Sequence, residues 1–470
     1  MGDGVDPIPL SDLARSRSTP DRLKLKWDAI GVRAVHLPTI ILATACLIMV
    51  GFLLSYGRWM MFWWDEWSFI FDRPDPTPQA LMAPFFDTFV AVPVLVYDGL
   101  LAVFGLRTYL PYQLVAWASH FAAAFLLYGI VSRRSGSVVG LAAGISIVFL
   151  GNGYEVLLQP FQIQYLFAII GGLLAIDQLD RGRPAVAAIA LLPAIASSGL
   201  GVIYAGMIVT WGMLRRDRMT VVATVPAIGA YAIWYLTWGR ESEHMTGPGL
   251  SPLEIVYSVA HGMGATVAGV GGLMTIQYAS AGVAIATVVL AGCAVLALRG
   301  YRPDPLAIAA IAALVAEQFL RAVFRGQYGA DYGARSSYVY AGAFFIWICI
   351  GALVGKRMPN HRFVPLVLVL IIAPMIYGNM RQLLGVALEL RGWRATQLAE
   401  LRLIEAYRSD PRLLLVYPVD ARDSFRPLEA RPYLAAIDRF GRPSLEYDWQ
   451  PYVDVGAVEA ARQRLLPALP

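Results

Sequence analysis

Two adjacent carboxylates, Asp65 and Glu66, stand among tryptophans in the stretch Trp63-Trp64-Asp65-Glu66-Trp67. A carboxylate can take a proton from an attacking hydroxyl, and tryptophans collect where a bilayer meets water. Acids at membrane depth are costly, so they point to function; the competing reading is a solvated loop acid beside an aromatic belt. A second set is cationic. Arg321, Arg325 and Arg335 fall near the ends of two apolar runs, and a guanidinium fork binds phosphate at two points. Their competing role is contact with ordinary lipid headgroups. In a third set, Glu155, Gln159, Gln162 and Gln164 flank Pro160. Amides and carboxylates can bind sugar hydroxyls, and they can equally close a helix–helix corner. Asp98, Glu317 and Gln318 read as buried pairing partners, and His261 as a satisfied core residue. Neither the five histidines nor Cys46, Cys293 and Cys349 show metal-ligand spacing. No metal site or cofactor is therefore assigned, and metal dependence stays open.

The elements that must position these groups are membrane helices. With 57% hydrophobic and 15% charged residues, and a mean hydropathy of +0.56, the chain does not suit a soluble domain of 470 residues. The first apolar run, residues 37–55, is long enough to cross a hydrocarbon core of about 30 Å and reads as an uncleaved signal anchor. Basic residues follow topology, so the net charge of +5 does not imply nucleic acid. Six basic clusters hold 18 Lys/Arg, against seven in the intervening non-tail segments. Placing the clusters in the cytoplasm predicts spans near 36–57, 110–131, 137–151, 163–179, 184–197, 199–214, 220–238, 279–298, 304–323, 338–355 and 363–378. The fold class is thus an all-α polytopic bundle of about 11 crossings, with 13 as the alternative.

Two apolar segments are left out of that count. Residues 78–104, opened by Thr77-Pro78, read as one re-entrant or interfacial helix carrying Asp87 and Asp98 within a large external loop, 58–109. Residues 254–273 read as a second helix at the outer face. Residues 1–34 form a basic cytoplasmic segment and 35–378 the transmembrane domain. The tail, 379–470, nearly balances 13 Arg against 12 Asp/Glu and reads as a small extracytoplasmic α+β domain, with a strand at Leu413–Tyr417. Scarce lysine beside abundant arginine fits a high-GC bacterium, which puts the chain in a bacterial plasma membrane.

The order of these parts resembles the GT-C class of membrane glycosyltransferases, in the arrangement of protein O-mannosyltransferases and aminoarabinose transferases. One span, an acidic pair in a large first external loop, an interfacial helix and Phe104-Gly105-Leu106-Arg107 carry the likeness. So do Asn152 to Ile163, Ser197-Ser198-Gly199-Leu200-Gly201 and Ala334-Arg335-Ser336-Ser337-Tyr338-Val339-Tyr340, which look like segments of actinobacterial members. Where many relatives have histidine, this chain reads Pro84-Phe85-Phe86-Asp87-Thr88. The resemblance implies a polyprenyl-phosphate-linked sugar donor and an envelope glycan, lipid or protein as acceptor. It also implies Asp65 as base, Glu66 as the competing base or acceptor-orienting group, and Arg335, Arg325 and Arg321 on the donor phosphate. Asp87, Glu155, Gln159, Gln162 and Tyr338 are the candidate sugar or acceptor contacts. A lipid-linked glycan transporter or flippase and a non-catalytic envelope scaffold are the alternatives. The topology predicts that cysteines at Asp75 and Asp448 react with an impermeant thiol reagent in intact cells lacking an outer barrier, while Arg216→Cys stays protected. The inverse labelling pattern would overturn it.

Overall fold

The computed structural model describes residues 19–63, 65–73, 75–241, 249–298, 300, 302–355, 363–410 and 430–465. Among them the chain is helical, and the only β-type pairing is an isolated bridge between Phe85 and Thr88. The expected strand at Leu413–Tyr417 lies outside the described residues.

A long helix α1 (Thr19–Gly57) leads into three short elements, α2 (Asp65–Asp72), α3 (Pro78–Met82) and α4 (Ala91–Phe104). The bundle proper follows with α5 (Leu110–Ser135), α6 (Ser137–Val148), α7 (Tyr154–Leu158), α8 (Ile163–Asp180), α9 (Pro184–Ile195), α10 (Gly199–Arg215), α11 (Arg218–Val222) and α12 (Val225–Thr237). It continues through α13 (Pro252–Val270), α14 (Thr275–Leu298), α15 (Pro305–Phe324), α16 (Ser336–Val354) and α17 (Val364–Ala406), before α18 (Ala430–Phe440) and α19 (Val455–Leu465). Proline at the first or second position starts α3, α5, α9, α12, α13, α15 and α17, where its missing N–H costs nothing. Eight of the helices are long and apolar enough to cross a membrane, or nine if α6 and α7, bent by 43°, form one broken span. The protein is therefore a multi-pass membrane protein by architecture.

Two expectations are corrected. Residues 78–104 are not one helix: Thr77 does cap α3 through Ala80 N–H, but a turn at Phe85–Thr88 separates α3 from α4, so Asp87 lies in a turn and not on a helix. The last apolar helix does not end near 378, because α17 runs unbroken to Ala406. Pro374 sits within it, and no glycine-led stop closes it before the charged half. Leu398, Leu401 and Ile404 thus continue the same helix and are buried against the rest of the protein. Among the described residues of the tail the elements are helices, α18 and α19 following α17.

The bundle has two chemically distinct ends. At one, Arg133 pairs with Asp177, Arg134 bonds Asp180 at 2.5 Å and Asp304 at 3.2 Å, and Arg181 bonds Asp177 at 2.9 Å. These are the C-termini of α5 and α8 and the N-terminus of α15. The other end carries the C-terminus of α15, the N-terminus of α16 and the short α7. Helix α13 packs against this second end: Tyr257 bonds Asp331 at 3.1 Å, while the Gly269 carbonyl accepts from Asn152 and Asn379, each at 3.1 Å.

Close approach at this end requires glycine at position 151, where a Cβ would stand 1.8 Å from the Asn379 carbonyl oxygen. Gly206, by contrast, faces nothing within 4 Å. Gly151→Val is expected to cost about 1–3 kcal/mol by overpacking, with Gly206→Ala near neutral. Thermal unfolding of the two purified variants in detergent checks this, and equal stability would refute the packing argument.

Candidate functional site

The site is assembled from four places in the chain. Asp65 is the first residue of α2, whose start is fixed because the Glu66 carboxylate accepts the Trp63 N–H at 2.8 Å. The Phe85–Thr88 turn brings in Phe85, Phe86 and Thr88. Phe86 has φ 53°, a left-handed conformation that a glycine would adopt without cost. Pro160 opens a single 3-10 turn that hands Gln162, Gln164 and Tyr165 to the start of α8. Ser198 caps α10 through Leu200 N–H at 3.3 Å, while Gly201 lets that helix meet the Ala194 backbone, 2.3 Å from where a Cβ would stand. The loop after α15 supplies Arg325, Tyr328, Tyr332 and Arg335, with Gly329 at φ 102° allowing its turn.

Together these residues line a chamber of about 90 Å³, with Asp65, Gln162, Arg325, Arg335, Ser337 and Tyr338 among its walls. An apolar groove of about 230 Å³ adjoins it between α10, α12 and α15, walled by Leu200, Val202, Ile203, Tyr231, Leu320 and Phe324. The two share Thr88, Tyr165, Ser198, Arg325 and Tyr338, so polar chamber and apolar groove lie side by side against common residues.

All three arginines are already matched by carboxylates. Arg335 donates to Glu155 at 2.8 Å and to the Tyr332 hydroxyl at 2.7 Å. Glu155 also accepts the Ser337 N–H at 3.2 Å. Burial works against the Arg335 charge, but Glu155 and the neighbouring tyrosines outweigh it and hold the guanidinium protonated. Arg325 pairs with Asp87, and Arg321 pairs with Glu317 while its guanidinium lies 3.2 Å from the centre of the Tyr338 ring. These pairings fix the guanidinium planes. Asp65 faces the same chamber as Arg325 and Arg335.

The sequence candidates separate accordingly. Asp65, Gln162, Arg325, Arg335 and Tyr338 meet in the chamber, while Asp87 and Arg321 line the groove. Glu155 acts through Arg335. Gln159 is buried but lines neither space. Glu66 points away from the chamber and is enclosed by hydroxyls, accepting from Tyr97 at 2.6 Å and Tyr109 at 2.8 Å. Glu317 has its partner, whereas both amide atoms of Gln318 and the Asp98 Oδ2 are buried without one. His261 is not a satisfied core residue: it stacks on Tyr257, and its Nδ1 lies 3.6 Å from Asp331, too far for a hydrogen bond. Sequence reasoning missed Tyr165, Tyr328, Tyr332, Ser198 and Thr88. The tyrosines had a signal, since Tyr328 and Tyr332 precede Arg335 in one Gly-containing loop.

No known family model matches this chain, and no curated protein or solved structure matches it. Function is therefore argued from the site itself.

Burial raises the Glu66 carboxyl from its ordinary 4.5 to about 7, against the lowering effect of the Tyr97, Tyr109 and Trp63 hydrogen bonds and the Arg394 charge. A pKa raised by folding stabilises the protein below the unfolded value, and that stability is lost as pH rises towards the folded value. The stability difference between wild type and Glu66→Gln should therefore shrink between about pH 4.5 and about pH 7. Thermal unfolding across that range reads it, and a pH-independent difference would contradict the buried-acid assignment.

Proposed function

We propose that the protein is an integral-membrane glycosyltransferase that moves a sugar from a polyprenyl-phosphate donor to an envelope acceptor. One observation carries this reading: a chamber lined by a carboxylate and two arginines adjoins an apolar groove and shares five lining residues with it. Such a space suits an amphiphile whose anionic head reacts while its chain stays among helices. The resemblance to the GT-C class supplies the sugar and the polyprenyl chain.

In the proposed reaction an acceptor hydroxyl loses its proton to Asp65 as its oxygen attacks the anomeric carbon. The bond from that carbon to the phosphate oxygen breaks, and the lipid phosphate leaves with the electron pair. Arg335 and Arg325 stabilise the charge that grows on it. A phosphate is already a good leaving group, so no strong general acid is needed. Glu66 is assigned a structural role, since it is buried under two tyrosine hydroxyls. Tyr338 and Gln162 are the sugar contacts, and Glu155 and Asp87 are positioning residues for Arg335 and Arg325.

The topology proposed with this function has about eleven crossings. The ion-paired end of the bundle faces the cytoplasm, and the chamber, α13 and the tail lie on the extracytoplasmic side. This places α13 across the outer face and keeps the basic clusters inside.

Asp65→Asn retains shape and removes basicity, so turnover of a polyprenyl-phosphate sugar should fall at least about 10²-fold in folded protein. Arg335→Ala should weaken donor use more than acceptor use, with lysine rescuing only in part because it lacks the bidentate fork. Sugar release by purified, detergent-stable variants measures both. Normal turnover in Asp65→Asn and Glu66→Gln together would sink the mechanism. Lipid movement that survives Asp65→Asn in the absence of any transfer would favour the flippase alternative.

A further inference from the structure

A second recess, of about 620 Å³, lies outside the chamber between α4 and α18, and the transferase reading does not use it. It is built by two distant parts of the chain. Gly105, at φ 61°, leaves room for the Phe440 carbonyl, which accepts Leu106 N–H at 2.9 Å; a Cβ there would lie 2.1 Å from that oxygen. Ser444 bonds the Arg107 carbonyl at 2.7 Å, and Arg439 bonds Asp75 at 2.7 Å. The recess is thus held by direct bonds from the tail to the α4–α5 corner on one side and to Asp75, before α3, on the other.

Its walls have three characters. One is apolar and open to the surroundings: Leu95 is 51% and Val103 73% exposed, on a helix with few polar residues. Side chains of this kind are covered by lipid in a membrane protein. The second is cationic. Among the described residues Arg107 has no carboxylate partner, unlike Arg321, Arg325 and Arg335, while Arg439 is matched by Asp75. The third is acidic: Asp98 lines the recess, and its enclosed Oδ2 has no hydrogen-bond donor among the described residues. Burial raises the Asp98 carboxyl to about 6, with Arg73 and Arg439 opposing that shift and Asp75 adding to it.

We propose that this recess binds a membrane phospholipid bearing a primary amine, with its phosphate on Arg107, its ammonium on Asp98 and its chains along Leu95 and Val103. An unpartnered carboxylate oxygen asks for an N–H donor, which a primary ammonium has and a quaternary ammonium lacks. A purely anionic headgroup would satisfy Arg107 but would meet the charges of Asp98 and Asp75. This inference rests on α4 facing lipid and is independent of the transferase reading.

The test is native mass spectrometry of the purified full-length protein with equimolar phosphatidylethanolamine, phosphatidylcholine and phosphatidylglycerol. Wild type should retain phosphatidylethanolamine about fivefold over either competitor, the size of effect that one partly desolvated ion pair supplies. Asp98→Asn should abolish the preference over phosphatidylcholine, while Arg107→Ala should weaken retention of all three lipids. Asp65→Asn should keep the preference even where transfer is lost, which separates this site from the chamber. Equal retention of the three lipids by wild type would overturn the proposal, as would an unchanged preference in Asp98→Asn. Should Asp98→Asn fail to fold, the thermal shift of wild type decides. A greater stabilisation by phosphatidylethanolamine than by phosphatidylcholine supports the site, and equal shifts refute it.

Discussion

The ion pair between Arg335 and Glu155 is the joint on which the site end of the bundle depends. It ties the loop before α16 to α7, the short helix that follows the break in α6. Removing either partner would leave a buried charge without compensation, which is far costlier than the pair is stabilising. The surrounding bonds are of the same kind. Ser336 donates to the Asn152 carbonyl at 2.7 Å, and the Asn379 side chain accepts from Asn152 N–H at 2.9 Å while donating to the Gly269 carbonyl at 3.1 Å. A break in a helix frees backbone groups that lipid cannot satisfy, so the chain must satisfy them internally. Asn152, Ser336 and Asn379 do this, and they thereby fix α7, α13, α16 and α17 to one another. The chamber is built where the bundle has already solved that problem.

A second constraint acts through the Phe85–Thr88 turn. Two reciprocal backbone bonds of 3.0 Å close it, and they force Phe86 into a conformation that costs a non-glycine residue on the order of 1 kcal/mol. The surroundings hold it there. Phe85 packs edge-on against Phe69 and Phe86, and Arg73 donates to the carbonyls of Ala80, Ala83 and Pro84 at 3.1, 3.1 and 2.9 Å. The outcome is that Asp87 meets Arg325 at the boundary between chamber and groove. Backbone strain placed beside three ion pairs is consistent with a preorganised site, in which charges are fixed before a ligand arrives.

Much of this was legible in the chain. Apolar runs bounded by proline and charge gave the helices, because proline positions and hydrophobic length act locally. Thr77-Pro78 marked a real helix start, and the loop before α16 drew attention to Arg335. Pairings across large sequence distances were not legible. Nothing local in Asp87 announces Arg325, 238 positions away, nor does Glu155 announce Arg335 across 180. The choice between Asp65 and Glu66 was equally hidden, because neighbouring residues on a helix point about 100° apart and only the packing says which one faces the chamber. The end of the last span was misplaced for a related reason. A charged sequence looks like the end of a membrane helix, yet a helix continues where its polar half has protein to pack against.

That continuation bears on how Asp65 is held. Its helix has eight residues, well below the roughly 12 that an isolated helix needs to be more than marginal in water. Its stability must therefore come from its neighbours, and the tail provides many of them. On α17, Trp393 contacts Trp63 at 6.4 Å between ring centres, and the Arg394 guanidinium lies 3.5 Å from the centre of the Trp63 ring. On α18, Tyr433 meets Trp67 edge-on at 5.6 Å while its hydroxyl donates to Glu405 of α17 at 2.8 Å. From below, Tyr97 and Tyr109 grip Glu66, the residue next to Asp65. Trp63 and Trp67, expected to anchor this segment at a bilayer surface, are instead packed against the tail, with Trp67 only 4% exposed. Helices α17 and α18 thus pack with the first loop, and the position of Asp65 is set as much by those two helices as by its own segment.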